Sequence, residues 1–257
     1  MENKRLNMIL KFIGKDTITD VEKYIEEILS RKYIEFENEE EIKKFFINDL
    51  ENIYENNPYN SIEALRYYTG IAYREVNQIL RNKWDYETSG NLTEEKKASA
   101  TKITNAINSV MLNNKELNYN IKAFRGVSLS SFKDYGISSL EELINLKGQY
   151  YFESAFTSTS LLRDKSFFNR SLEWHENCNI EIEYLIPMEA TDGIPLIDNN
   201  LSYSNSQSEF LLNNDSLSKI IDVNIVDGKA YIKMAYIPKK IWDLSYKNYI
   251  EKNNKEK

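Results

Sequence analysis

Asn120 to Leu129 reads NIKAFRGVSL, and the hydrophobic period of the chain changes there. Before this stretch apolar residues recur every three or four positions, the spacing of a helix face; from it onward they alternate, the spacing of a strand. Downstream, Tyr150–Ser160 (YYFESAFTSTS), Asn179–Pro187 (NIEIEYLIP), Ser208–Leu212 (SEFLL), Lys219–Val226 (KIIDVNIV) and Lys229–Pro238 (KAYIKMAYIP) are rich in β-branched and aromatic residues and read as strands. Asp227-Gly228 between the last two is a hairpin turn, because both residues tolerate the positive φ such a turn needs.

Upstream, residues 1 to about 115 read as helical. Thr19-Asp20-Val21-Glu22 opens VEKYIEEILSRKY, and the acidic run Glu35 to Glu41 leads into IKKFFINDLENIY. Ile42, Phe45, Phe46 and Leu50 share one face of that second helix, and the carboxylates suit its N-terminus. Ser61 to Trp84, SIEALRYYTGIAYREVNQILRNKW, is a further helical unit, interrupted at Thr69-Gly70, with Thr69 as N-cap of its second half. Ser89 to Leu92 is a loop, and Thr93 to Asn114 is another amphipathic helix. Helices first and antiparallel strands later predict an α+β domain, not alternating βαβ units.

Composition narrows the function. Hydrophobic residues make up 41% of 257 residues, enough for a sizeable core without a disorder signature. A formal charge of -7 argues against a nucleic-acid surface, which needs clustered Lys and Arg. The single cysteine, Cys178, excludes an internal disulfide framework and a multi-cysteine metal site; within CNIEIEYLIP it reads as a small buried residue. The single histidine, His175, excludes zinc held by paired histidines, and its polar neighbours suggest an exposed loop or strand edge. No run approaches eighteen apolar residues, and the N-terminus has no secretory signal pattern. The isolated glycines form no phosphate loop, so Rossmann and kinase readings fall away.

Three strings place polar residues where strands should be apolar. Phe124-Arg125-Gly126 puts Arg125 in register with Ile121 and Ala123, where it needs an anionic partner: a ligand, or a Glu of the protein. Gly126 lets a ligand or another backbone come close. Thr157-Ser158-Thr159-Ser160 ends an apolar strand in hydroxyls, which either line a cleft or merely cap the strand. Gln207-Ser208-Glu209 would point Gln207 and Glu209 to one side of an extended chain, into a cleft or along a polar edge.

Taken in this order, aromatic-Arg-Gly, Ser-Thr-Ser and Gln-x-Glu resemble the three-part signature of bacterial mono-ADP-ribosyltransferase exoenzymes. That family includes Rho-modifying clostridial exoenzymes and the enzymatic components of binary toxins. The helix before them is similar too: Tyr68-Thr69-Gly70, then Tyr73, Asn77 and Arg81 on one stripe, beside an apolar face of Ala72, Val76, Ile79 and Leu80. Phe167-Phe168-Asn169-Arg170 resembles the family's Phe-x-x-Arg loop.

The resemblance implies an ADP-ribosyltransferase fold, with N-terminal helices packed on two mostly antiparallel sheets. It implies NAD as substrate and no metal. Glu209 would bind the nicotinamide ribose and stabilise the transition state, with Ser158 holding it. Arg125, Arg81 and Arg170 would meet the pyrophosphate, with Asn77 nearby; Tyr68, Tyr73, Phe167 and the Gly126 backbone would complete the NAD site. Gln207, where arginine-modifying members carry Glu, implies an Asn or Gln acceptor on a host protein, such as a Rho-type small GTPase. The family's aromatic three residues before that Gln is absent: Ser204 stands there, and Tyr203 is the nearest aromatic.

Competing readings are a guanine-directed DNA transferase, which also carries Gln-x-Glu, an NAD glycohydrolase, and a silent NAD-binding module. Residues 1–55 are expected as an N-terminal helical extension, separate from or integral to a catalytic domain at 56–257. Secretion or delivery into a target-cell cytosol, with or without a translocation partner, is implied by the resemblance.

Overall fold

The computed structural model describes residues 15–82, 93–168, 177–202 and 208–243. The helical half contains α1 (Lys15–Leu29), α2 (Glu39–Phe45), α3 (Ile47–Asn56), α4 (Tyr59–Tyr67), α5 (Tyr73–Asn82) and α6 (Glu94–Leu112). Helix α1 starts four residues before Thr19, the start predicted from sequence. Asn38 caps α2 by accepting the Glu41 N–H, and Glu39, Glu40 and Glu41 fill its first turn, where carboxylates meet the positive helix end. The predicted apolar face holds across the break at Phe46. Ile42 and Phe46 are buried, and Phe45 and Leu50 pack against the same core.

The interruption at Thr69-Gly70 takes another form than a cap. Tyr68–Ala72 is a π-helical turn that widens the helix without ending it. The Thr69 hydroxyl bonds back to the Arg66 carbonyl at 3.0 Å instead of capping α5. Thr93 does cap α6, accepting the Lys96 N–H.

The strand half contains β1 (Ile121–Val127), β2 (Tyr150–Glu153), β3 (Thr157–Ser160), β4 (Ile180–Ile186), β5 (Gly193–Leu196), β6 (Glu209–Leu212), β7 (Ser216–Val226) and β8 (Lys229–Ile237), followed by α7 (Lys239–Trp242). Their order is β2-β7-β8-β4-β1-β3-β6-β5 in one sheet. The two sheets expected from sequence are thus hydrogen-bonded into a single ladder. They join at one residue pair, Phe124 of β1 with Ser160 of β3. All pairings are antiparallel except β4 with β8. The β7–β8 hairpin turns at Asp227 and Gly228, with φ of 51° and 71°.

Two apolar clusters flank the β3-β6-β5 part of the sheet. Phe36, Ile42 and Phe46 pack with Phe210, Leu212 and the apolar residues of β1, β4 and β8. On the other side Ile53, Leu65, Tyr68, Val76, Ile107 and Met111 from the helices pack with Phe156, Ile194, Leu196 and Leu211. Strand β6 is buried on both faces, which is why it reads as a continuous apolar run. By strand alternation Glu209, two residues before Leu211, belongs to the helix side. A third cluster seats Val21 and Ile25 of α1 on Tyr150, Phe152, Leu217 and Ile237.

Candidate active site

Glu209 opens β6, opposite Ser160 of β3 and Leu196 of β5, and is 6% exposed. Burial raises its carboxyl to about 7, against a Ser158 hydrogen bond and the Arg125 charge, which both lower it. Ser158 lies on the same face of β3 as Ser160, two residues along, and so reaches Glu209 diagonally. The Tyr68 phenol is buried near the same carboxylate, whose charge adds to burial in raising its pKa. Its hydroxyl stands over the Asn77 amide, 3.0 Å from Nδ2 and 3.2 Å from Oδ1. The π turn at Tyr68–Ala72 precedes α5, so it sets how these two residues meet.

Arg125 is half-buried in β1, opposite Ile182. The internal ion pair that competes with a ligand role is not found: among the described residues no carboxylate pairs with Arg125. Its charge reaches Glu209, Tyr68, Tyr151, Tyr184 and Cys178. Arg81 behaves differently. It makes a two-pronged pair with Glu153, Nε to Oε1 at 3.1 Å and Nη2 to Oε2 at 3.3 Å. Sequence reading missed Glu153; its signal was a carboxylate closing the apolar strand YYFE.

Gly126 has the close approach expected of it, made by backbone. A Cβ there would lie 2.1 Å from the Phe168 nitrogen and 2.3 Å from the Phe167 carbonyl carbon. The chain at Phe167–Phe168 therefore lies directly on Gly126. The Phe168 ring meets Tyr231 edge-on. Tyr73 is exposed, and its hydroxyl accepts Arg74 Nε at 2.9 Å. Cys178 is half-buried just before β4, and burial raises its thiol.

The expected placement of Gln207 and Glu209 on one side of the chain turns on Gln207, which lies outside the described residues. Ser208 between them has φ of 44°, a left-handed backbone. Ser208 itself thus departs from extended backbone. Arg170, His175, Tyr203 and Ser204 also lie outside the described residues. Among the described residues no group of three His, Cys, Asp or Glu could hold a metal ion. None of their helices is long and apolar enough to cross a membrane.

The family model of the ADP-ribosyltransferase exoenzymes matches residues 21–240. No curated protein matches the chain in sequence. Solved structures do match. C3stau2 from S. aureus with NAD is 16% identical at a TM-score of 0.64, over 81% of this chain and 100% of that one. The Clostridium limosum C3 exoenzyme is 19% identical at 0.61, over 81% and 98%. Vis toxin, an ADP-ribosyltransferase from Vibrio splendidus, is 18% identical at 0.57, over 85% and 93%. At such identities these likenesses show the fold, and the family match shows the class. The chain belongs to the ADP-ribosyltransferase exoenzyme family and is an NAD-dependent mono-ADP-ribosyltransferase of the bacterial toxin type.

Proposed function

We propose that the protein cleaves NAD and transfers ADP-ribose to an Asn or Gln side chain of a host protein, a Rho-type small GTPase being the acceptor class that Gln207 favours. The observation that carries the catalytic part is the buried Glu209, bonded by Ser158 and within the field of Arg125. Buried carboxylates without a full counter-ion are costly, and such sites are where function concentrates.

In this reading Arg125 and Arg81 meet the pyrophosphate, with Arg170 added from the sequence match. Tyr68, through Asn77, and Tyr73 line the nicotinamide side, with Gly126 and Phe167 closing it. Glu209 accepts a hydrogen bond from a ribose hydroxyl, and its charge stabilises the cation that develops as the glycosidic bond breaks. Nicotinamide leaves with the bonding electrons; the acceptor nitrogen then bonds to the ribose carbon and releases a proton. Gln207 presents a neutral amide that pairs with an acceptor amide, where a second carboxylate would suit a guanidinium.

Action inside a host cell implies secretion and delivery to the target-cell cytosol, with a translocation partner if the chain cannot cross unaided. Incubation with labelled NAD and host-cell lysate, followed by mass spectrometry of the modified residue, tests the reading. ADP-ribose on Asn or Gln of a small GTPase is expected. Label on arginine or on DNA guanine, or hydrolysis without transfer, overturns it.

A further inference from the structure

Glu153 has no part in the motifs, yet it touches Arg81, the residue of α5 assigned to the pyrophosphate. We infer that Glu153 is a positioning residue of the NAD site, fixing the Arg81 guanidinium before the ligand arrives; this rests on the reading of Arg81 as a phosphate contact.

Arg81 sits in the last turn of α5, and its side chain is 43% exposed. A long side chain so placed would sample many rotamers, and ordering it on binding would weaken affinity. Glu153 removes that freedom. Its own side chain is 12% exposed and is fixed in turn, because Oε1 also accepts the Ala155 N–H at 3.0 Å. The pair uses Nε and Nη2 of the guanidinium, and five donors allow Arg81 to keep Glu153 and meet an anion together.

Two buried tyrosines place this pair beside the catalytic groups. The Tyr151 and Tyr184 hydroxyls each feel both the Glu153 charge and the Arg125 charge. The Ala155 N–H that holds Glu153 lies three residues before Ser158, the hydrogen-bond partner of Glu209. One carboxylate thus ties the helix carrying Arg81 to the segment that leads into β3, whose Ser158 bonds the Glu209 carboxylate. Glu153 also repels an incoming phosphate, but at a half-exposed arginine solvent screens that repulsion, whereas loss of side-chain order is not screened.

The test measures NAD affinity by calorimetry in the full chain carrying Glu209→Gln, which prevents turnover. Glu153→Gln keeps an acceptor for Ala155 but loses the charge, and NAD binding is expected to weaken on the order of tenfold. Arg81→Gln weakens it similarly, and the double variant is no weaker than Arg81→Gln alone, because Glu153 acts through Arg81. In the Glu209-containing chain, Glu153→Gln raises KM for NAD with kcat for hydrolysis changed by less than about threefold. Glu153→Asp recovers part of the affinity; it also serves if Glu153→Gln fails to fold, and then shows an intermediate loss. Unchanged or tighter NAD binding, or additive losses in the double variant, overturns the inference alone. A folded parent chain that binds no NAD overturns both the inference and the reading beneath it.

Discussion

Phe124 and Ser160 form the one backbone pair that joins the β1 half of the sheet to the β3 half. Arg163, three residues beyond Ser160, lays its guanidinium 4.3 Å from the centre of the Phe124 ring and pairs with Glu181 and Glu183 of β4. The joint is therefore clamped by a side chain where backbone pairing is thinnest.

Arg163→Ala should destabilise the fold by about 1–3 kcal/mol, since it strands the buried Glu181 carboxylate. Glu181 is already pushed up by burial, with Arg163 as the largest opposing influence. A urea melt within about 0.5 kcal/mol of the parent would show that the clamp contributes little.

Glu209→Gln should abolish transfer and hydrolysis together while NAD affinity stays within about threefold, because the carboxylate acts chiefly in the transition state. Retention of more than about a tenth of hydrolysis would move the catalytic role elsewhere. The same variant should be more stable than the parent above neutral pH. The folded carboxyl titrates near 7, above its ordinary value of 4.5, so the folded state holds the extra proton between those values. Stability linked to Glu209 is present below pH 4.5 and is lost as pH rises towards 7. The gain for Gln, about 1–3 kcal/mol, should therefore appear above pH 7 and fade below 4.5.

The hydrolysis rate in kcat/KM should rise with pH through a midpoint near 7, as Glu209 ionises in the free enzyme. Ser158→Ala removes a hydrogen bond that favours the charged form, so its midpoint should move to higher pH. A midpoint that stays in place or moves down would detach Ser158 from Glu209.

Arg125→Lys should weaken NAD binding by roughly tenfold, since an ammonium cannot reproduce the planar fork. Full affinity by calorimetry would leave Arg125 without a phosphate role.

Gln207→Ala should lower transfer to protein at least about tenfold more than it lowers hydrolysis, the loss of one or two hydrogen bonds to an acceptor amide worth about 1–3 kcal/mol. Equal loss of both activities would assign Gln207 to support of Glu209.

Sequence legibility followed locality. Arg125, Ser158 and Glu209 stood out because each is a polar intruder in an apolar strand, and the geometry brings them together. Asn77 and Arg81 were legible through the resemblance of their helix to the family's, with which their shared helical stripe agrees. Glu153 was not, since its meaning lies in an arginine 72 residues away. The π turn at Tyr68 replaced an expected break because packing of Tyr68 and Ala72 into the helix-side core overrides the local Gly signal. The single ladder was hidden for the same reason: one pair between Phe124 and Ser160 leaves no periodic trace.

The left-handed Ser208 has an evolutionary consequence. Its carbonyl accepts the Leu161 N–H at 2.9 Å, so the register of β6 is locked at the residue just before Glu209, the proposed catalytic carboxylate. Residues preceding that lock can be inserted, deleted or exchanged without sliding Glu209 along β3, because a slip would have to break the anchor and invert a doubly buried strand. On the proposed reading, the anchor would hold the bond-breaking carboxylate in register whatever side chains precede it, so that acceptor preference could change without a change in the chemistry.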